Sequence, residues 1–173
     1  MSSSLVTKRK RSAGNDTELS LVQFFGIGSA DALGLKEGWA WPEENHIWND
    51  GYEATLNISL PAVPNAVYKL IFEARPHLAP GLERQDVTLY FNGHRVGFWR
   101  LEESGGVTLE ADIEPEFWFK RQGVAVGKCT WHLPNSTKPS DIKETQDNRL
   151  LGLCFQSMMI ARKNPNPDNE LAG

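Results

Sequence analysis

The sequence predicts an all-β protein: an antiparallel β-sandwich of jelly-roll type with seven to nine strands. Three observations predict it. Apolar and polar residues alternate along several short segments, the period of a strand with one buried face. Turn-forming residues separate those segments about every 8–12 residues, the spacing of sandwiches and barrels. No window keeps apolar residues at helical spacing for more than about two turns. A chain of 173 residues suits one domain with its own core.

Residues 1–18 hold Lys8, Arg9, Lys10 and Arg11 in a polar setting. They read as a flexible basic tail, with contact to an acidic surface or a nuclear address as the other uses of such a cluster. No apolar stretch follows as a secretory signal requires, so the expected compartment is the cytoplasm. A single β-sandwich domain is expected over 19–161 and a polar tail over 162–173. Residues 20–35 contain Leu21, Val22, Phe24, Phe25 and Ile27 and suggest an edge strand. Over 52–60, Tyr52, Ala54, Leu56, Ile58 and Leu60 fall on one face and Glu53, Thr55, Asn57 and Ser59 on the other. Pro61 and Pro64 close that strand.

Residues 67–74 alternate in the same way through Tyr68, Leu70, Phe72 and Ala74, and 75–81 read as a loop. Over 86–91 the inward residues are Val87, Leu89 and Phe91; Asn92-Gly93 follows, then a run at 95–101. Asn-Gly between two such runs signals a hairpin, because both central residues of a type I′ turn need positive φ. A turn over 102–106 leads to an alternating strand over 107–113. Residues 117–119 and 124–133 hold one or two further strands, and 134–148 form a long polar loop. The last strand, 150–161, has Leu151, Leu153, Phe155, Ser157 and Met159 on one side and Leu150, Cys154, Met158 and Ile160 on the other. Apolar residues on both faces place it centrally in its sheet.

Composition narrows the function. Hydrophobic residues at 40 % and charged residues at 23 % describe a folded domain rather than a disordered one. The net charge of −4 argues against nucleic acid as the main partner. No apolar run approaches the ~18–20 residues of a membrane helix. Two cysteines exclude a disulfide-dense scaffold and a four-cysteine zinc site; Cys129 and Cys154 are expected as buried, reduced thiols.

Catalytic and metal motifs are sparse. His46, His77, His94 and His132 include no His-x-His pair, so no transition-metal site is expected; calcium held by loop oxygens stays open. There is no Gly-x-Ser-x-Gly elbow, and Gly26-Ile27-Gly28 lacks the rest of a dinucleotide fingerprint. Glu43-Glu44 and Glu102-Glu103 are adjacent carboxylates, which point to opposite faces of an extended chain and so do not serve one site by themselves. No catalytic residue is assigned.

The segment 37–51 stands out. It holds three of the six tryptophans, Trp39, Trp41 and Trp48, with Glu43, Glu44 and His46 between them. A sugar has apolar C–H faces and a rim of hydroxyls. A flat indole covers the first, and carboxylates, amides, imidazoles and guanidinium groups bond the second. Each of these tryptophans has a structural alternative, as core or edge cover. Trp99, Trp118 and Trp131 are expected in the core or on a sheet surface.

Glu37-Gly38-Trp39, Glu43 or Glu44, Trp48 and Gly51 form one half of a pattern, and Asp147-Asn148-Arg149-Leu150-Leu151-Gly152-Leu153 before the last strand forms the other. This layout resembles the jelly-roll β-sandwich accessory domain found beside glycosyltransferases in bacterial surface-polysaccharide loci and, more loosely, carbohydrate-binding modules. The resemblance implies that the first and last strands lie side by side, bringing Trp39, Trp48, Asp147 and Arg149 together. The expected function is non-catalytic carbohydrate binding or polysaccharide assembly. A glycan or polysaccharide is the expected partner, with a glycosyltransferase or a second copy of the chain beside it. The alternatives are an assembly scaffold forming a homo-oligomer without a small ligand and a glycan-active enzyme with a dispersed carboxylate pair. Asp147 and Arg149 also have a structural role open to them, as a charge-assisted bond at a loop end.

Overall fold

A computed structural model describes residues 17–27, 34–35, 37–143 and 145–164. Of the expected tails 1–18 and 162–173, residues 1–16 and 165–173 lie outside the described residues, while 17–18 and 162–163 are strand. Two antiparallel sheets face each other. The first has the order β1 (Thr17–Phe24), β11 (Leu153–Lys163), β5 (Tyr68–Pro76), β8 (Val107–Ile113), with β3 (Ile47–Trp48) also paired to β11. The second runs β2 (Gly34–Leu35), β4 (Glu53–Pro61), β10 (Val124–His132), β6 (Gln85–Phe91), β7 (His94–Leu101), with β9 (Phe119–Arg121) also paired to β10. Eight of these strands have seven residues or more, within the seven to nine expected of the sandwich.

Alternation places the core. Leu56, Ile58 and Leu60 of β4, Leu70, Phe72 and Ala74 of β5, Val87, Leu89 and Phe91 of β6, and Ala125, Cys129 and Trp131 of β10 are buried in one apolar cluster. Trp131 is fully buried, edge-on to Trp39, Phe72 and Phe155 at 5.2–5.9 Å between ring centroids. The Asn92-Gly93 hairpin forms as expected, with φ of 47° and 85° at the two turn residues joining β6 to β7.

Four local expectations are corrected. Tyr52 lies outside β4 and is 53 % exposed; the inward series starts at Ala54. Arg75 and Pro76 extend β5 rather than beginning the loop. The 134–148 loop contains a short helix, α1 (Pro139–Ile142). In β11 the register shifts between Phe155 and Ser157. That bulge leaves Gln156 exposed and moves Met158 and Ile160 onto the core face with Leu153 and Phe155. An extra residue reverses every later side chain, so strict alternation assigned them to the wrong side. β11 is nevertheless central, between β1 and β5.

Candidate functional site

Residues 38–50 form a narrow loop folded back on itself. Trp39 bridges Asn49, Ala40 N–H donates to Trp48 O at 2.9 Å, and Glu43 N–H donates to His46 O at 2.9 Å. The loop is tied down at both ends. Ile27 N–H donates to Glu43 O near its tip, and Asp50 N–H donates to Gly38 O at its base. Gly38 has φ of +82°, and a Cβ there would lie 1.7 Å from Glu53 O, so only glycine fits. Pairing of Ile47–Trp48 with Phe155–Cys154 docks the return arm on β11.

Asn49 is the internal anchor. It is fully buried, and its Oδ1 accepts from the N–H groups of Gly152 and Leu153 at 2.8 and 2.7 Å. Its Nδ2 donates to Gly51 O at 2.7 Å and Ser136 Oγ at 3.1 Å. A satisfied buried amide of this kind specifies one arrangement of three chain segments. Leu150 N–H adds a bond to Asp50 Oδ1 at 2.8 Å. The loop 38–50 and the stretch 147–153 are therefore one rigid end of the sandwich.

At this end the chain brings together most of the residues expected to bind. Arg149 grips Asp147 with Nε and Nη2, the shortest contact being 2.7 Å, and reaches Glu43 Oε1 with Nη1 at 3.3 Å. Glu43 Oε2 lies 3.1 Å from His46 Nε2. Trp48 follows buried Ile47 and so stands on the outer side of its sheet, half-buried, edge-on to His46 and to His77 at 6.4 and 6.0 Å. Trp41 is 89 % exposed. Glu44 is exposed.

Hydrogen-bond capacity separates the roles. Asp147 accepts from Arg149 N–H, Nε and Nη2, which occupies its oxygens. These bonds, foremost the side-chain bond from Arg149, hold the Asp147 carboxyl below its usual range, and burial opposes them only in part. Arg149 is pushed up by the same contact. Asp147 therefore holds Arg149 in place. Arg149 has five N–H groups, two of them without a partner among the described residues, and Glu43 keeps unused lone pairs. These two remain available to a hydroxyl-rich molecule.

Trp39 is corrected. Its ring stacks on Phe25 at 5.7 Å, meets Phe155 and Trp131 edge-on, and its Nε1 donates to Thr55 O at 2.7 Å. It packs against the core, Trp48 is half-buried, and Trp41 is the exposed indole of the loop. Trp118 and Trp131 are buried, and Trp99 packs against the core.

Sequence reasoning missed His77. It is nine-tenths buried beside Trp48, with Nε2 unpartnered among the described residues. Burial, aided by Lys143, pushes its pKa down, and nearby Asp147 pulls the other way. No local pattern marks this histidine, because its partners come from three separate segments. Cys129 and Cys154 are free and buried; burial raises both thiols, Cys154 to about 11. Among the described residues no group of three or more His, Cys, Asp or Glu side chains gathers in a metal-binding arrangement, and no helix is long and apolar enough to cross a membrane. A shallow depression of about 310 Å³ lined by Leu78, Ala79, Leu82, Glu83, Glu102 and Ser104 shares no residue with the loop-end cluster.

No protein-family model and no curated protein matches the sequence. Among solved structures the chain is similar to a family 35 carbohydrate binding module from an environmental isolate, at 12 % identity and a TM-score of 0.48, covering 79 % of this chain and 90 % of that one. It is similar to the GH26-CBM35 β-(1,4)-mannanase of Podospora anserina, at 10 % identity and a TM-score of 0.44, covering 86 % of this chain and 29 % of that one. It is also similar to a family GH115 4-O-methyl-α-glucuronidase with specificity for decorated arabinogalactans, at 10 % identity and a TM-score of 0.44, covering 91 % of this chain and 18 % of that one.

Proposed function

We propose that this chain is a non-catalytic carbohydrate-binding domain that holds a glycan at the loop end. Trp41 and Trp48 cover sugar faces, and Arg149, Glu43 and His46 bond the hydroxyl rim. Glu44 bonds from the tip, and Asp147 orients Arg149. The observation that carries this reading is Trp41, an indole 89 % exposed on a loop whose backbone is pinned at both ends. Solvating so large an apolar ring is unfavourable, and a prepositioned ring loses little entropy on binding. Covering one indole face hides about 100 Å² and contributes at most ~2.5 kcal/mol, which suits weak, reversible recognition. A glycosyltransferase partner or a second copy of the chain fits beside such a domain.

The carboxylate pair does not favour hydrolysis. Glu43 and Asp147 share one guanidinium, and Asp147 spends both oxygens on Arg149, which leaves it little capacity for a reacting group. Calorimetric titration against a panel of oligosaccharides tests the reading. Binding in the millimolar range, weakened about tenfold by Trp41→Ala without loss of folding, is the expected result. No binding at millimolar ligand, together with a stable oligomer that Trp41→Ala dissociates in light scattering, replaces it with the assembly scaffold.

A further inference from the structure

The outer face of the six-stranded sheet forms a second surface, which shares no residue with the loop end. On β10, Ala125, Cys129 and Trp131 face the core, so Val126, Lys128 and Thr130 face out. Strand register sets their neighbours. Val126 lies opposite Phe119 of β9, Val124 opposite Arg121, and Thr130 opposite Tyr90 of β6. Tyr90 in turn pairs with Arg95 of β7, and Thr88 with Phe98. Phe98 and Phe119 are 52 % and 69 % exposed. They mark the two ends of the face. Phe98 is level with His132 through Thr88, and Phe119 with Val126, a separation of about 20 Å at ~3.3 Å per residue.

The charge on this face is one-sided. Arg95, Arg121 and Lys128 are exposed and form no side-chain ion pair among the described residues, whereas the face's Asp86 is held by Arg100 at 2.9 Å. Other carboxylates lie at its border, Glu53 opposite His132 on β4 and Glu102 near Arg100. A chain of net charge −4 thus gathers unneutralised Arg95 and Lys128 between two exposed aromatic rings on one sheet face, with Arg121 just past Phe119.

We infer that this face binds an extended acidic polysaccharide. Phe98 and Phe119 cover the C–H faces of sugar rings. Arg95, Lys128 and Arg121 pair with carboxylates on the chain, and Tyr90, Thr88 and Thr130 bond hydroxyls between them. The span of about 20 Å requires a run of several sugar units rather than one. Three cations in a protein of negative net charge release few counterions from a phosphate backbone, which disfavours single-stranded nucleic acid.

Affinity electrophoresis of the full chain through gels containing polygalacturonate tests this. The expected result is retardation by polygalacturonate but not by dextran, weakening as salt rises from about 20 to about 300 mM. It falls about fivefold or more in Phe119→Ala and in the Arg95→Ala/Lys128→Ala double variant, all at exposed positions, and is unchanged in Thr108→Ala, an exposed position on the opposite sheet. Four results overturn it: no retardation by polygalacturonate, equal retardation by dextran, retention of binding in both sheet-face variants, or competition by oligo-thymidylate at equal or lower concentration. Loss of binding in Trp41→Ala alone also overturns it and assigns the acidic chain to the loop end instead.

Discussion

Trp39 and Trp41 are two residues apart on the same loop and have opposite fates. Trp39 gives its ring to Phe25, Phe155 and Trp131 and its N–H to Thr55; Trp41 stands almost wholly in water. The same contrast separates two regions. Around Trp131 the aromatic rings contact one another inside the sandwich. At the loop end, the exposed indole is accompanied by ion pairs and unused hydrogen-bonding capacity. Identical side chains thus serve packing in one place and presentation in the other. The difference lies in what the backbone is bonded to, since Gly38 and Asn49 fold the segment so that Trp39 turns inward.

The contrast is sharpened most by removing its inner half. Trp131→Ala is expected to destabilise the fold by about 3–5 kcal/mol, through lost contacts and the cavity left behind, read as a lower urea midpoint. Gly38→Ala is expected to lose on the order of 3 kcal/mol, from a positive φ and a Cβ driven into Glu53 O; the same denaturation measures it. Asn49→Ala comes next, at about 2–3 kcal/mol, because the Gly152 and Leu153 N–H groups lose their buried acceptor. Trp41→Ala should move stability by less than about 0.5 kcal/mol while removing most of the glycan affinity. A large loss of stability in that variant would break the comparison.

The smallest expected effect is acid sensitivity at the loop end. Asp147 has a folded pKa below its ordinary 3.8, so the unfolded chain takes up the proton first. Its contribution is full above pH 3.8 and is lost as pH falls from there through the folded value. His77 behaves in the same direction from a higher start. Its folded pKa lies below 6.5, so stability declines as pH drops below 6.5 towards that value. Proton NMR titration of the His77 ring should give a midpoint below 6.5. In Asp147→Asn the decline in urea midpoint below pH 3.8 should be shallower than in the parent chain.

Much of the sandwich is legible in the sequence because strand burial is local. Leu56, Ile58 and Leu60, or Val87, Leu89 and Phe91, declare their face by alternation alone. Asn92-Gly93 declares its turn by the φ values it tolerates. The bulge after Phe155 is not legible, since nothing in the composition of β11 requires an extra residue there; pairing with β5 creates it. The candidate site is legible in part. Glu43, His46, Trp48, Asp147 and Arg149 do meet at one end, but His77 joins them from the end of β5 without any motif.

Residue types and their order determined that the chain would make a two-layer antiparallel fold with an indole-rich loop before the first long strand, because period-two burial and turn chemistry are properties of neighbouring residues. The tertiary structure decided which indole is packed and which is presented, and that Arg149 reaches Glu43. Those outcomes depend on contacts between segments about 100 residues apart, where solvent exclusion is set by the other sheet rather than by adjacent residues.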